Sequence, residues 1–252
     1  MKNKHDIIWL DTVDSTNSEA RRRISKVDNL SVVSALEQTA GRGQLGNKWL
    51  SKPGENLTFS ITLKFSGNDT LDVHDQCVIS EIASLSVVDF LAANGIEAKI
   101  KWPNDIYVGN KKICGILIEN GLTGSHISHS IIGIGLNINQ RNFNVSLPNP
   151  TSMTLLTDER YDISESLNEF MSIFQEYVRR YLNVNGGFTR LRKLYLGQLW
   201  KLDEPMLFNY GEDKKNVFTG IIRGLTYIGN LIIETEKGEL KEFAFKEIGY
   251  II

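Results

Sequence analysis

The chain has 252 residues, of which 41% are hydrophobic and 23% are charged, as is ordinary for a globular protein. This length suits one large domain, or one domain with a small appendage. The formal net charge of −2 gives no overall basic footprint for nucleic acid, so any basic site must be local. Two cysteines exclude a disulfide framework, and we find neither a signal peptide nor an apolar run long enough to cross a bilayer. A cytoplasmic protein is therefore the default expectation.

The first element is a short apolar run, residues 7–10, which is followed by the motif DSTNSE at residues 14–19. Thr16 with Glu19 three residues later has the capping-box pattern, and it predicts a helix that continues to Ile24. Hydroxyl and amide side chains at a helix start, beside its free N–H groups, also suit hydrogen bonding to a neutral polar ligand. Both interpretations hold together, because one residue can cap the helix while its neighbours face a pocket.

The central feature is a basic glycine-rich loop, EQTAGRGQLGNKW at residues 37–49, between two predicted strands. Residues 31–36 are small and β-branched, and residues 56–63 carry a large apolar side chain at every second position. Glycines let backbone N–H groups approach a ligand closely, and Arg42 offers a planar fork suited to phosphate. Trp49 supplies a flat ring at the exit of the loop. Alone this pattern is weak, because most glycine-rich turns between strands are only turns.

A long helix and a hairpin come next in the chain. Apolar side chains at three- and four-residue steps predict a core helix over residues 71–94. Residues 98–119 predict a hairpin whose first arm is broken by Pro-Asn-Asp at residues 103–105 and whose turn is Gly-Asn at residues 109–110.

The hairpin gathers charge and contains a glycine that a plain hairpin does not explain. Lys101, Asp105 and Lys112 lie near its turns. Gly115 interrupts an otherwise apolar strand, and one recurring cause of such a glycine is the close approach of a ligand.

A second glycine pattern lies in residues 131–139, IIGIGLNIN, where Gly133 and Gly135 alternate with isoleucine. Glycines on one face of a strand make room either for something flat or for close packing of a helix, and the sequence alone gives these readings equal weight. Amphipathic periodicity then predicts helices over residues 163–182 and 188–199.

From about residue 200 the pattern changes to short β runs separated by glycine- and charge-rich turns. The predicted strands are residues 206–210, 217–225, 230–235 and 240–245. We therefore expect a small barrel-like appendage, and we divide the chain into residues 1–199 and residues 200–252.

In this order, the motifs resemble those of the biotin protein ligases (biotin–[acetyl-CoA-carboxylase] ligases). The resemblance runs from about residue 9 to about residue 139 and is carried by STN at residues 15–17, QTAGRG at 38–43, KWPND at 101–105, KICGIL at 112–117 and GIGLN at 133–137. It implies an α+β fold: a mixed β-sheet with helices packed on it, as in class II synthetase catalytic domains, followed by a small SH3-like β-barrel. Only a few residues precede Trp9, so we expect the form without an N-terminal DNA-binding domain.

The resemblance also implies a two-step reaction. Biotin and ATP, with Mg²⁺, give biotinyl-5′-AMP and pyrophosphate. The biotinyl group then passes to one lysine of a biotin carboxyl carrier protein of acetyl-CoA carboxylase or a related carboxylase. No DNA or membrane partner is expected, and the oligomeric state stays open.

The family's site residues carry over by motif. The biotin-binding set is Ser15, Thr16, Asn17, Gln38, Gly41, Arg42, Gly43, Lys112 and Gly115. The ATP-binding set is Arg42, Trp49, Asn104, Lys112, Gly133 and Asn137. Catalysis falls to Arg42, Lys112 and Asp105, and Asp105 either holds Mg²⁺ or takes a proton from the incoming lysine.

One departure concerns the central loop. The best-known members have arginines where this chain has Gln44, Leu45 and Asn47, so the loop is less cationic and its retention of the adenylate stays open. Three other functions are weighed against the ligase: a lipoate–protein ligase, a biotin-binding regulator without turnover, and a generic glycine-loop nucleotide-binding module. KWPND together with the C-terminal β runs favours biotin over lipoate.

Overall fold

The larger of two β-sheets is mixed and contains the first eight strands of the chain. The computed structural model describes residues 6–65, 70–182, 184–211 and 215–251, without the side chain of residue 45. The strands are β1 (Ile7–Val13), β2 (Val32–Gln38), β3 (Leu57–Lys64), β4 (Leu71–Asp72), β5 (Lys99–Lys101), β6 (Asp105–Val108), β7 (Lys111–Thr123) and β8 (His126–Leu136).

The strand order is β1-β2-β3-β8-β7-β6-β5, and β4 pairs beside them with β8. β1 and β2 are parallel, whereas the other pairings described in this sheet are antiparallel. The mixed sheet predicted from the sequence is therefore confirmed.

Helices cover both faces of this sheet. They are α1 (Thr16–Arg23), α2 (Cys77–Ala93), α3 (Met153–Thr157), α4 (Ile163–Tyr181) and α5 (Gly187–Gly197). α2 contacts α4, α5 and the strands β5 to β7, whereas α1 contacts β2, β3 and β8. Val32 belongs to the main core, but its neighbour Val33 packs with Ala20 of α1 in a separate cluster. Since successive strand residues point to opposite faces, α1 lies on the face opposite the main core.

The predicted capping box at the start of α1 is wrong. Ser15 occupies the N-cap position and makes no side-chain capping bond. The Thr16 hydroxyl instead donates to Gln38, and Glu19 pairs with two arginines of its own helix. Both side chains of the predicted box therefore have other partners.

The core helix α2 begins at Cys77 and not at residue 71, because β4 and a 3₁₀ turn (Val73–Asp75) precede it. By length and composition, Val73–Ala93 could cross a membrane (21 residues, mean hydropathy 1.5), contrary to the expectation from the sequence. It is the one such helix in the described part of the chain, and 67% of its most apolar window is buried inside the protein. Core helices of soluble proteins meet the same criteria, and this packing accounts for its apolar composition.

An aromatic contact joins the helices to the sheet. Phe170 of α4 packs edge-on against Phe59 of β3, with ring centroids 5.2 Å apart, and against Phe90 of α2 at 6.2 Å. All three side chains are fully buried. Burying a side chain of this size contributes about 1.5–3 kcal/mol relative to leaving it exposed, so these residues fix the sheet against the helical layer.

The second sheet is antiparallel and contains five strands in the order β12-β11-β10-β9-β13. They are β9 (Pro205–Tyr210), β10 (Asn216–Leu225), β11 (Leu231–Thr235), β12 (Leu240–Phe243) and β13 (Ile248–Tyr250). Within residues 205–211 and 215–251, the edge strands β12 and β13 do not pair with each other, so this sheet is open. The strand runs are confirmed, but closure into a barrel is not, because closure depends on strand tilt and stagger that a sequence pattern does not encode.

The KWPND hairpin and the second sheet are joined through buried polar groups. Trp102 Nε1 donates to the carbonyl of Gly229, 3.0 Å away, in the turn between β10 and β11. Arg192 of α5 donates to the carbonyl of Thr226 in the same turn and pairs with Glu81 of α2 at 2.5 Å. The Glu81 side chain is only 3% exposed, so this ion pair lies inside the joint.

Stability should depend on the charge of Glu81. Burial raises the pKa of this carboxyl from 4.5 to about 7, although Arg192 opposes the shift. A carboxyl with a higher pKa in the folded state stabilises the protein below its unfolded pKa, and that contribution is lost as the pH rises through the folded pKa. We predict that the free energy of unfolding of the parent protein falls between about pH 4.5 and about pH 7. The part of this fall that Glu81 causes should be absent in Glu81→Gln.

Urea unfolding at several pH values in this window gives the free energy of unfolding of the parent protein and of Glu81→Gln. The contribution of Glu81 is the change with pH in the difference between these two free energies. Glu97→Gln, at an exposed position, is the control for loss of one carboxyl. Parallel pH profiles for the parent protein and Glu81→Gln would contradict the prediction.

Candidate functional site

A small cavity opens on the α1 face of the large sheet, where the start of α1, the glycine-rich loop and the strands β7 and β8 meet. Its volume is about 50 Å³. It is lined by Ser15, Thr16, Asn17, Gln38, Arg42, Gly43, Gln44, Trp49, Asn104, Lys112, Gly115, Ile116, Leu117, Gly133, Ile134 and Gly135. The structure thus gathers in one place most of the site residues predicted from motifs that lie far apart in the sequence.

A larger cavity of about 530 Å³ adjoins the first, and Trp49 and Lys112 line both. Two predicted residues outside the first cavity, Asp105 and Asn137, line this second one, together with residues 146–150. The Asn137 amide donates to a backbone carbonyl at Thr151, 2.9 Å away, so it also holds the wall of the cavity in place.

The last predicted residue, Gly41, supports the loop and lines neither cavity. A Cβ at Gly41 would lie 2.5 Å from the carbonyl oxygen of Trp49, and the Trp49 N–H donates to the Gly41 carbonyl. The loop between them folds back through a 3₁₀ turn (Gln44–Gly46), with the Gly43 N–H bonded to the Asn47 carbonyl at 2.7 Å. The side chain of Leu45 lies outside the described residues.

Neutral hydrogen-bonding groups form part of the wall of the first cavity. Gln38 Oε1 accepts from the Thr16 N–H at 2.8 Å and from the Thr16 hydroxyl at 3.2 Å. Ser60 Oγ lies 2.6 Å from Asn17 Oδ1 and is fully buried. The sequence analysis missed Ser60. The usable signal was a serine between the alternating apolar residues of a buried strand, on the face opposite the core.

Glycines make the floor of this cavity flat. A Cβ at Gly135 would lie 2.3 Å from Trp49 Cε2, and a Cβ at Gly133 would lie 2.1 Å from Asn17 Oδ1. Both interpretations of this glycine pair are therefore confirmed, one at each residue. Gly135 accommodates the flat indole of Trp49, and Gly133 allows the close packing of α1.

Two ion pairs hold the cations of the site. Lys112 Nζ lies 2.6 Å from Asp105 Oδ1. Arg42 donates through both terminal nitrogens to Glu119, at 3.0 and 2.7 Å. Partial burial opposes ionisation of Glu119, but the hydrogen bonds from Arg42 and Asn17 hold the pKa of this carboxyl below its ordinary value.

Sequence reasoning also missed Glu119. The signal was its spacing from Gly115: two steps of the two-residue strand period place both residues on the same face of β7. Gly115 already indicated that a ligand approaches this face of the strand. A carboxylate on the same face, at the end of the apolar run, is therefore a candidate partner for a cation.

Some side chains of the KWPND motif lie at the site, and others contact the second sheet. Asp105 contacts Lys112, and the Asn104 amide donates to the carbonyl of Ile116 at 2.7 Å. Lys101 instead lies over the ring of Tyr250 in β13, 4.7 Å from its centroid, and burial lowers the pKa of this lysine. The motif therefore links the site to the C-terminal sheet.

The protein offers no preformed Mg²⁺ site among the residues that the structure describes. They contain no group of three His, Cys, Asp or Glu side chains able to hold a metal ion. Asp105 contributes one carboxylate, which already pairs with Lys112. Mg²⁺ is usually bound by one or two carboxylates together with substrate phosphates, so the phosphates would have to supply most of its ligands here.

The position of Trp49 should depend on Gly135. In Gly135→Ala the new methyl group would overlap the indole, and the paired strand beneath it cannot retreat. We therefore predict that the loop opens and that trypsin cleaves after Lys48 several-fold faster than in the parent protein. Timed digestion with mass spectrometry of the fragments measures the rate.

Gly197→Ala is the matched control, because a Cβ at this position meets no atom within 4 Å. Equal cleavage rates in the parent protein and both variants would show that the indole does not need the space above Gly135.

The comparisons with known proteins agree with this geometry. Residues 9–137 match the biotin/lipoate A/B protein ligase family. The chain is 30% identical to the bifunctional ligase/repressor BirA of Escherichia coli K12, over 95% of this chain and 72% of that protein. It is 28% identical to the biotin–[acetyl-CoA-carboxylase] ligase of Paracoccus denitrificans, over 89% of this chain and 92% of that one.

Among solved structures, the chain is similar to the Aquifex aeolicus biotin protein ligase in complex with biotin and ATP. The TM-score is 0.79 at 29% identity, and the alignment covers 99% of this chain and 98% of that one. The family match spans more than half of the chain and includes both the glycine-rich loop and the glycine floor. The chain therefore belongs to the biotin/lipoate A/B protein ligase family.

Proposed function

We infer that the chain is a biotin–protein ligase, which activates biotin with ATP to biotinyl-5′-AMP and then transfers biotin to a carrier protein. One observation carries this conclusion: neutral hydrogen-bonding groups and two cations, Arg42 and Lys112, line a single cavity above strand glycines. The related Aquifex aeolicus enzyme binds biotin and ATP in its crystal structure, and the Paracoccus denitrificans relative is a biotin–[acetyl-CoA-carboxylase] ligase.

The neutral groups of the cavity suit the uncharged urea of biotin. We assign biotin recognition to Ser15, Thr16, Asn17 and Gln38, whose amides and hydroxyls can donate to and accept from that group. Ser60 supports this set, because its buried hydroxyl orients the Asn17 amide.

The two cations of the cavity suit the charge that develops during adenylation. The biotin carboxylate attacks the α-phosphorus of ATP, the new carboxyl–phosphate bond forms, and pyrophosphate leaves with the electrons of the broken P–O bond. No nucleophilic side chain is needed, so the protein acts by positioning and electrostatic stabilisation. We assign this role to Arg42 and Lys112, which Glu119 and Asp105 hold in place.

The second cavity suits the nucleotide and the incoming lysine. Trp49 offers an aromatic face there, Asn137 lines this cavity, and Asn104 lines the adjoining one. We assign Asp105 as the acceptor of the lysine proton in preference to a metal ligand, because it is a single carboxylate in contact with Lys112. Mg²⁺ would accompany ATP, held mainly by the phosphates.

We propose that residues 1–199 form the catalytic unit and residues 200–252 a small SH3-like unit that helps to seat ATP or the carrier. The bond from Trp102 to Gly229 supports this role, since it ties the KWPND motif to the second sheet. The partner is a biotin carboxyl carrier protein of acetyl-CoA carboxylase or a related carboxylase. A cytoplasmic location stays a proposal, supported by the lack of a disulfide framework.

The activity is tested by exchange of labelled pyrophosphate into ATP. We expect exchange that depends on biotin and Mg²⁺, and none with lipoate or octanoate. Exchange with lipoate would place the chain with the lipoate ligases. A thermal shift with biotin but no exchange would make it a binding protein and overturn the proposed catalysis.

Lys112→Ala should separate chemistry from binding. Removing one preorganised cation that contacts developing charge costs on the order of a hundredfold or more in rate, so biotin-dependent exchange should fall by about that factor. The biotin dissociation constant, measured by calorimetry, should change little. Lys111→Ala, at the adjacent exposed position, is the control. Equal losses in exchange and in biotin affinity would contradict the role assigned to Lys112.

A further inference from the structure

The Glu119 carboxylate connects two parts of the site that lie far from it in the sequence, the glycine-rich loop at Arg42, 77 residues away, and α1 at Asn17, 102 residues away. It accepts two hydrogen bonds from Arg42 of the glycine-rich loop. It also accepts one from the Asn17 amide and one from Arg21, each at 2.9 Å, and both of these residues are in α1. The Glu119 side chain is 19% exposed, whereas that of Arg42 is 42% exposed.

The bidentate geometry fixes the plane of the Arg42 guanidinium. Arg42 has a long side chain and lies in a glycine-rich loop, so without a partner it would sample many orientations. The fork to Glu119 uses one N–H of each terminal nitrogen and leaves Nε–H and the second N–H of each terminal nitrogen for other partners. Glu119 is anchored in the long strand β7, where it pairs with Ile131 of β8. It can therefore serve as a rigid reference for a mobile cation.

The same carboxylate also fixes the Asn17 amide. Asn17 Nδ2 donates to Glu119 Oε2 and to the Leu117 carbonyl, while Ser60 Oγ lies against Asn17 Oδ1. Glu119 Oε2 thus accepts from Asn17 and from Arg42 at once. A neutral hydrogen-bonding group and a cation of the cavity share one oriented oxygen.

We propose that Glu119 is a positioning residue for adenylation, which holds Arg42 over the reacting carboxylate and α-phosphate and aligns it with the Asn17 amide. This inference rests on the proposed ligase function. Glu119 does not touch the reacting atoms in this role and acts through Arg42. Arg21, which is 60% exposed, neutralises the carboxylate from outside and has no part in positioning.

The test compares Glu119→Gln, Arg42→Ala and the double variant in biotin-dependent pyrophosphate exchange. Glu119→Gln keeps the shape of the side chain but removes its charge, so kcat for exchange should fall about tenfold or more, with a smaller change in KM for ATP. Because Glu119 acts through Arg42, the double variant should be no slower than Arg42→Ala alone. Multiplied losses, or an unchanged or raised kcat in Glu119→Gln, would overturn the proposal.

Glu19→Gln is the matched control. Glu19 is a half-buried carboxylate that also bridges two arginines, Arg22 and Arg23, but it does not line the cavity. Its substitution should leave exchange at the parent rate. If Glu19→Gln lost as much exchange activity as Glu119→Gln, removal of any such carboxylate would impair the protein. That result would contradict the positioning role of Glu119.

A second readout does not depend on the ligase activity. In the ligand-free protein, Glu119→Gln should free the Arg42 side chain and speed tryptic cleavage between Arg42 and Gly43 several-fold, relative to the parent protein and Glu19→Gln. Unchanged cleavage would refute the anchoring of Arg42. Absence of exchange in the parent protein would instead refute the ligase function, so the two failures are distinguishable.

Discussion

The two-residue period of β8 is the constraint on which the site depends. Ile132 and Ile134 point into the main core, so Gly133 and Gly135 must point to the opposite face. There they leave space for a helix and for an indole ring, which any larger side chain would fill. The core that stabilises the sheet and the surface that lines the candidate site are therefore two sides of the same strand.

Charge is arranged on this surface in matched pairs. Each of the two cations that face the cavity has a carboxylate partner anchored in a strand: Asp105 of β6 for Lys112, and Glu119 of β7 for Arg42. Surface ion pairs add little to stability, but pairs that are partly shielded from solvent fix the geometry of long side chains. A site that binds phosphate benefits from this order, because cations already in place need no reorganisation when charge develops.

The KWPND motif connects the site to the second sheet, whose described residues line neither cavity. Trp102 and Lys101 contact the C-terminal sheet, while Asn104 and Asp105 face the cavities. The C-terminal sheet and Asp105 are therefore connected through a few residues of one strand and its turn.

The sequence by itself determined most strands of the large sheet, the apolar stripe of α4 and the two-sided character of β8, because these follow from local periodicity. It placed β4 inside a predicted helix. Its motifs also indicated the ligase family and most of the residues that line the site. Only the tertiary structure decided the partners of the polar side chains. Thr16 bonds to Gln38 rather than capping its helix, and Arg42 bonds to Glu119, 77 residues away. Such pairs depend on strand register and on the packing of α1 against the sheet. A local pattern of residues determines neither of these.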